Sequence, residues 1–317
     1  MTPETKAIHG TDSVSICVCT FRRVHLLDVL LRALMLQRLD DTSPLPEIVV
    51  VDNDPQHSAK DLLTSWQDRV PGRLVFLHEP TPNISLARNA AIAATRGKWI
   101  AFIDDDEEPR SDWLAQLMAT QRATDAGAVF APVVPRYSDA VAPWLIAGGF
   151  FDRRRFTTGA PIDEKDARTG NVLISAAALK SLPGPFDPAF GRSGGEDSLL
   201  FRALLARGCR FVWCDAADVS EEVPAERANG RWLLQRSFRT GQIWMRVELH
   251  NRPGFARWPR GLYLGCRAVL QLFVATCCAL VCAPISRIIA FRWLRVAVSQ
   301  CGKLTGLTAY RSIAYGH

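Results

Sequence analysis

The sequence predicts an α/β protein built on a doubly wound, mostly parallel sheet. Three observations carry that expectation. Short apolar runs rich in β-branched residues recur through the first third of the chain, amphipathic or Ala-rich stretches separate them, and polar or acidic residues close each run. With 317 residues, 48% apolar and 22% charged, the chain holds enough material for a large core, which excludes disordered and fibrous classes.

The elements follow in order. Val14 to Thr20 (VSICVCT) reads as a buried strand closed by Phe21-Arg22-Arg23. Leu26, Leu27, Leu30, Leu31 and Leu34 then recur at helical spacing, so a core-facing helix comes next. Glu47 to Asp52 (EIVVVD) is a second buried strand running into Asp52-Asn53-Asp54-Pro55, a turn composition. Leu74 to Leu77 is a third, shorter one. Ser85 to Thr95 forms an Ala-rich helix with Ser85 as N-cap and Gly97 as its stop. Lys98 to Ile103 is a fourth strand, halted by three aspartates. The stretch from Tyr137 to Lys165 is irregular and reads as a crossover or insertion. Asn171 to Ile174 resumes a strand, and Ser198 to Arg207 is a helix ended by Gly208.

Charge is distributed unevenly. From Val223 onward 14 Lys/Arg face only Glu226 and Glu248, so the tail is +12 while residues 1–222 are −6. Such a tail expects an acidic partner: anionic lipid, nucleic acid or diphosphate. Nine cysteines lie without a metal-ligand pattern, and Cys17, Cys19, Cys277, Cys278 and Cys282 sit in apolar runs, which reads as buried free thiols in a reducing compartment. Residues 1–12 are polar without an apolar segment, so no signal peptide is expected and the soluble part is placed in the cytosol.

Two acidic motifs carry chemistry. In FIDDDEEP (102–109), Asp104, Asp105 and Asp106 repel one another at a strand end, and cations or donors must meet them. Ligands bind at such carboxyl ends in open α/β sheets, and oxygen-only donors suit Mg²⁺ or Mn²⁺ bridging to substrate phosphates. The plain alternative is a solvated turn capping a helix near Ser111. In GGEDSLLFRALLARG (194–208), Gly194 and Gly195 allow close backbone approach, and Glu196-Asp197 opens a helix. That acidic pair either complements the helix dipole or, beside a diphosphate, supplies a general base.

Together with VSICVCTFRR, EIVVVDNDPQ, PNISLARNAAI and TGNVLIS, these motifs occur in an order that resembles the family 2 glycosyltransferases of GT-A fold, a Rossmann-like architecture. The likeness is strongest to the branch that builds succinoglycan and related exopolysaccharides, and it spans about residues 13–245. It implies a nucleotide pocket at Thr20, Phe21 and Arg22, and a nucleobase contact at Asp52 with Asn53 beside it. Arg88 would face the nucleotide. Asp104 and Asp105 would stand near the ribose or metal-bound water, and Asp106, with Asp104, would ligate the metal. Asp197 would act as base and Glu196 would orient a neighbour. QRSFRTG (235–241) would close over the donor diphosphate and the acceptor sugar, with Arg236 and Arg239 on one helical face at i, i+3, although a basic helix facing lipid head groups explains them as well. A diphosphate leaving group needs charge stabilisation and no general acid, so one displacement with inversion is expected. The implied donor is a UDP-sugar, glucose first among them.

The tail sets the expected location. Ala268 to Ile285 is 18 residues without a charge, flanked by arginines on both sides, which fits a re-entrant or in-plane helix, or a hairpin with Ile288 to Val298, better than a single span. The plain alternative is a buried C-terminal helix of a soluble protein. The chain thus divides into a polar tail (1–12), a catalytic domain (13–245) and a basic, apolar helical region (246–317) on the cytoplasmic face of a bacterial inner membrane. Its partners would be membrane lipid and a polyprenyl-diphosphate-linked glycan. The apolar run favours lipid over nucleic acid. Two rivals are a sugar-nucleotide nucleotidyltransferase, which would show a Gly-rich loop after the first strand, and a non-catalytic membrane scaffold, in which the acidic motifs would have eroded.

Overall fold

A computed structural model describes residues 13–39, 44–250, 252, 254–308 and 315; the polar tail expected at 1–12 lies outside them. The chain begins with β1 (Val14–Thr20), α1 (Val24–Met35), β2 (Glu47–Asp52), α2 (Lys60–Trp66), β3 (Leu74–His78), α3 (Ile84–Ala94) and β4 (Trp99–Ile103). Next come β5 (Glu107–Pro109), α4 (Trp113–Thr124), β6 (Ala128–Phe130), β7 (Val133–Arg136), α5 (Pro143–Ala147), β8 (Asn171–Ser175) and α6 (Ala176–Lys180). It ends with α7 (Glu196–Ala206), β9 (Phe211–Trp213), β10 (Val219–Glu222), α8 (Gly230–His250), α9 (Gly254–Cys282) and α10 (Arg287–Thr305).

The main sheet has seven strands in the order β3-β2-β1-β4-β8-β6-β9. All its pairs are parallel except the two that β8 makes, with β4 and β6. The expected mostly parallel, doubly wound sheet is therefore present. β2 shows why its strands read as continuous apolar runs: Ile48 and Val50 pack on one face with Leu27, Leu30, Leu63 and Trp113, while Val49 and Val51 pack on the other with Ala87, Ala91, Leu200 and Phe201. A second sheet, β5-β10-β7, lies outside the main one. Its short strands escaped the sequence reading because three or four residues carry no resolvable period.

Two boundaries differ from expectation for local reasons. Asn83, not Ser85, caps α3: its side chain accepts from the Ser85 and Leu86 amides, so Ser85 is already helical. The same helix ends at Thr95, and Gly97 serves a different purpose, since a Cβ there would lie 2.6 Å from the Ser15 amide of β1. At α7, Gly194 (φ +90°) and Gly195 (φ +105°) turn the chain in a conformation that suits glycine. The helix consequently starts at Glu196, as the acidic pair indicated and two residues before the Ser198 start read from the apolar pattern, with both acids in its first turn.

The C-terminal region is a helical hairpin, with arms longer than the sequence indicated, and α10 packs along both α8 and α9. α8 runs unbroken through 245 and 246, where a division was expected. One helix among the described residues, α9, is long and apolar enough to cross a membrane, with a mean hydropathy of 1.9 over its best window. Only 22% of that window is buried, and Phe255, Trp258, Leu270, Phe273 and Leu280 stand exposed. The thiols divide accordingly: Cys17 and Cys214 are buried, but Cys277, expected inside, is exposed on α9.

The α8–α10 contact is made backbone to backbone. A Cβ at Gly241 would overlap the Ser299 carbonyl, and one at Gly302 would overlap the Phe238 carbonyl. Neither neighbour is a flexible side chain, so the helices must separate to admit a methyl group. Gly302→Ala should therefore cost about 2 kcal/mol or more despite the better helix propensity of alanine. Thermal unfolding of the two proteins checks this, and an unchanged or raised midpoint would contradict the close packing.

Candidate active site

The carboxyl ends of β1 and β4 and the start of α3 open into a cleft of about 610 Å³, walled on its far side by the loop before α7 and by β10. Thr20, the last residue of β1, is fully buried and donates to Asp105 Oδ2 at 2.8 Å. The chain then turns through Arg22 in the left-handed region (φ +56°). That turn sends two guanidiniums in different directions. Arg22 Nε reaches Asp54 Oδ1 at 2.9 Å, while Arg23 Nη1 reaches Asp105 Oδ1 at 3.0 Å and Asp106 Oδ2 at 2.7 Å. Arg23 is the donor that lets consecutive carboxylates coexist at the end of β4. Burial still pushes Asp105 up to about 6, with Arg23 opposing the shift.

Asp104 is different. Its side chain is 48% exposed, and its amide donates to the buried Glu107 carboxylate at 3.0 Å. Glu107 is itself driven up by burial and by Asp104, and it lies against Gly170, where a Cβ would come 2.7 Å from its Oε1. Asn171, next in the TGN motif, donates to the Pro132 and Ala217 carbonyls and accepts from Trp113, which pins β8 beneath the cleft.

Arg88 joins the two acidic motifs. It is 8% exposed on α3, its Nη1 donates to Glu196 Oε1 at 2.9 Å, and its Nη2 stands 3.7 Å from Asp104 Oδ1. The guanidinium also lies 5.3 Å from the Phe186 ring centre. Glu196 keeps its second oxygen, Oε2, buried without a hydrogen-bond partner. Burial, and then the neighbouring Asp197, push Glu196 up to about 7 against the pull of Arg88.

The structure brings Phe21, Arg22, Arg88, Asp104, Asp105, Asp106 and Glu196 to the cleft wall, with Thr20 directly behind Asp105. Other expected residues stand elsewhere. Asp52 does not line the cleft: its two oxygens accept from the Asp54 and Ala59 amides at 3.0 and 2.8 Å, so it caps the turn into α2. Asn53 is likewise engaged, tying the Glu79 and Thr81 carbonyls and the Asn83 amide together. Asp197 does not line the cleft either; its Oδ1 accepts from the Ser198 amide at 2.7 Å. Arg236 and Arg239 line a neighbouring cavity and not the one holding the aspartates. Sequence reasoning missed Arg153, Glu221, Arg227 and Tyr315, which complete the wall. The triple arginine at 153–155 was visible as a cluster, but nothing in it marked which member points inward. Tyr315 packs 5.4 Å from the Phe21 ring, with its hydroxyl buried and unpartnered among the described residues.

The acidic end of β4 suits a hard divalent cation. Asp104 and Asp106 both line the cleft and offer only oxygen. No group of three His, Cys, Asp or Glu among the described residues could hold a metal by itself. An ion held there would need water or substrate oxygens to complete its shell.

Comparison with known proteins adds the lineage. A family model described as glycosyl transferase family 2 matches residues 15–178. The succinoglycan biosynthesis protein ExoM of Rhizobium meliloti is 33% identical over 304 residues, covering 95% of this chain and 94% of that protein. Among solved structures, the mannosyltransferase PcManGT from Pyrobaculum calidifontis, in complex with GDP-Man and Mn²⁺, aligns with a TM-score of 0.60 at 18% identity, over 93% of this chain and 86% of its own. S. aureus TarS 1-349 in complex with UDP aligns at 0.51 and 13% identity, over 92% and 90%. Both share the GT-A architecture seen here.

The buried Glu196 makes a pH prediction. Because the folded chain binds its proton more tightly than the unfolded one, its contribution to stability is full below about pH 4.5 and is lost as pH rises to about 7. Thermal midpoints of the wild type and Glu196→Gln, compared from pH 4.5 to 8, should diverge to the disadvantage of the wild type up to about pH 7 and run level above it. A difference that stays flat across this window removes the buried, proton-binding state.

Proposed function

The chain belongs to glycosyl transferase family 2, and from that premise we propose that it transfers a hexose, glucose first, from a UDP-sugar to a membrane-linked glycan in exopolysaccharide or other surface-polysaccharide assembly. The observation that carries this reading is the Arg88 bridge. One buried guanidinium holds Asp104 of the first acidic motif and Glu196 of the second on opposite walls of a single cleft. Donor and acceptor chemistry would thus meet in one place. The similarity to ExoM over nearly the whole chain supports the exopolysaccharide assignment.

In this reading Arg22, Arg23 and Arg88 supply the positive field for a nucleoside diphosphate, and Phe21 offers a ring face beside it. Asp106 and Asp104 would hold Mg²⁺ or Mn²⁺, which when bound neutralises charge on the departing diphosphate. Asp197 would take the proton from the acceptor hydroxyl, with inversion at the sugar carbon. A second reading gives that role to Glu196, because its Oε2 is unpartnered and its affinity for protons is near neutrality. The largely exposed apolar surface of α9, amid the +12 tail, supports attachment to the cytoplasmic face of an inner membrane.

Membranes carrying the full chain, incubated with labelled UDP-sugars, Mn²⁺ and lipid-linked acceptors, should transfer glucose into the lipid fraction. EDTA should abolish this, and Asp106→Ala should lower it by at least ~10²-fold with the fold retained. Full transfer by Asp106→Ala in EDTA would overturn the metal assignment.

The base is tested separately. Asp197→Asn should keep donor binding, lose at least ~10²-fold in turnover and lose the acid limb of the pH–rate profile. If that limb survives in Asp197→Asn and disappears in Glu196→Gln, the role passes to Glu196.

A further inference from the structure

Next to the cleft lies a second cavity, of about 390 Å³, that the chemistry above leaves unused. The two share one wall, made of Arg153, Arg227 and Glu221. The far side belongs to α8, which contributes Trp232, Arg236 and Arg239. Four guanidiniums therefore face one carboxylate. Arg153 and Arg227 each stand 3.7 Å from a different oxygen of Glu221. Arg236 and Arg239 form no ion pair among the described residues. Arg236 instead lies over the Trp232 ring, 5.3 Å from its centre. Trp232 in turn stacks on Phe151 at 5.8 Å with 17° between the planes.

A concave site with three surplus positive charges is costly to hold empty. Desolvation at the cavity wall, and then the neighbouring Arg153, lower Arg236 to about 10 even though the residue keeps contact with solvent. Forked guanidiniums at several angles match the non-bridging oxygens on the two phosphorus atoms of a diphosphate ester better than a single carboxylate. The flat aromatic surface beside them suits the apolar face of a pyranose ring. Position narrows the source further. α8 carries these side chains, and it packs along α10, which packs against the exposed apolar α9. A ligand with an anionic head and an apolar tail would have both ends served.

Resting on the family 2 reading, we propose that this cavity is the acceptor subsite and that Arg236 and Arg239 bind the diphosphate of a lipid-linked sugar, not the diphosphate of the donor. The shared wall would then set the acceptor sugar beside the donor cleft, with Arg153 and Arg227 reaching both. This narrows the sequence expectation, in which the segment carrying the two arginines closed over both the donor diphosphate and the acceptor sugar.

The test uses full-length protein in detergent and three probes: farnesyl diphosphate, inorganic pyrophosphate, and UDP with Mn²⁺. Affinities are measured by calorimetry for the wild type, Arg236→Gln and Arg239→Gln, with Asp106→Ala as the donor-side control. Arg239 is half-buried and makes no ion pair, so its substitution should leave the fold standing even where Arg236→Gln does not. Each arginine variant should bind farnesyl diphosphate and pyrophosphate at least ~10-fold more weakly while UDP·Mn²⁺ stays within about twofold. Tighter binding of farnesyl diphosphate than of pyrophosphate would mark a lipid-linked source. Loss of UDP in the same proportion would return the arginines to the donor. Undiminished binding of both diphosphates would leave the cavity with no anion to hold, and either result overturns the proposal. If UDP·Mn²⁺ fails to bind the wild type, the donor reading falls, while the farnesyl diphosphate arm still decides the cavity.

Discussion

Mutual repulsion of carboxylates is the constraint that organises this protein. Asp104, Asp105, Asp106 and Glu107 follow one another at the end of β4, and Glu196 with Asp197 arrives from across the sheet. Left alone, such a set would take up protons or push the strand end apart. Two arginines prevent that in different ways. Arg23 clamps Asp105 and Asp106, and Arg88 spans Asp104 and Glu196. The second bridge links residues 108 apart in sequence, so the position of α7 over the sheet is set by the same charge that shapes the cleft. Where compensation is incomplete, affinity for protons rises: burial lifts Asp105 and Glu196 above the ordinary carboxylate range.

Much of the main sheet was legible because its inner strands are buried on both faces. EIVVVD can be read as a strand without knowing its neighbours, since every residue in it is buried. The small sheet was not legible. Glu107–Pro109 and Val219–Glu222 become strands only through each other, and nothing local in either segment specifies the partner. Caps failed for a related reason. Asn83 and Ser85 are both good N-cap residues, and the choice between them falls to Asn83 because its side chain also reaches the Pro188 carbonyl of a distant loop.

Within the site, the sequence showed which residues were chemically unusual but not which way they faced. The three aspartates, Arg88 and Glu196 were all visible as motif members, and they do converge. Asp52 was visible too, yet its oxygens are consumed by the turn it sits in. An acid at a strand end and an acid capping the next turn look identical until backbone amides are placed. The family resemblance placed Arg236 and Arg239 over donor and acceptor, and helical spacing put them on one face, but neither says which cavity that face borders. Tyr315, far along the chain, had no local signature at all.

The backbone contacts at Gly241 and Gly302 have a practical consequence for anyone wishing to separate the catalytic part from its apolar tail. α8 lines the second cavity with its first turns and packs against α10 along its length, so the two regions share one interface. A fragment cut near residue 246 would end inside α8 and bare the groove that α10 fills. Such a fragment would trade one sticky surface for another, and its poor behaviour during expression would say nothing about lipid affinity. Detergent, applied to the whole chain, is the gentler instrument.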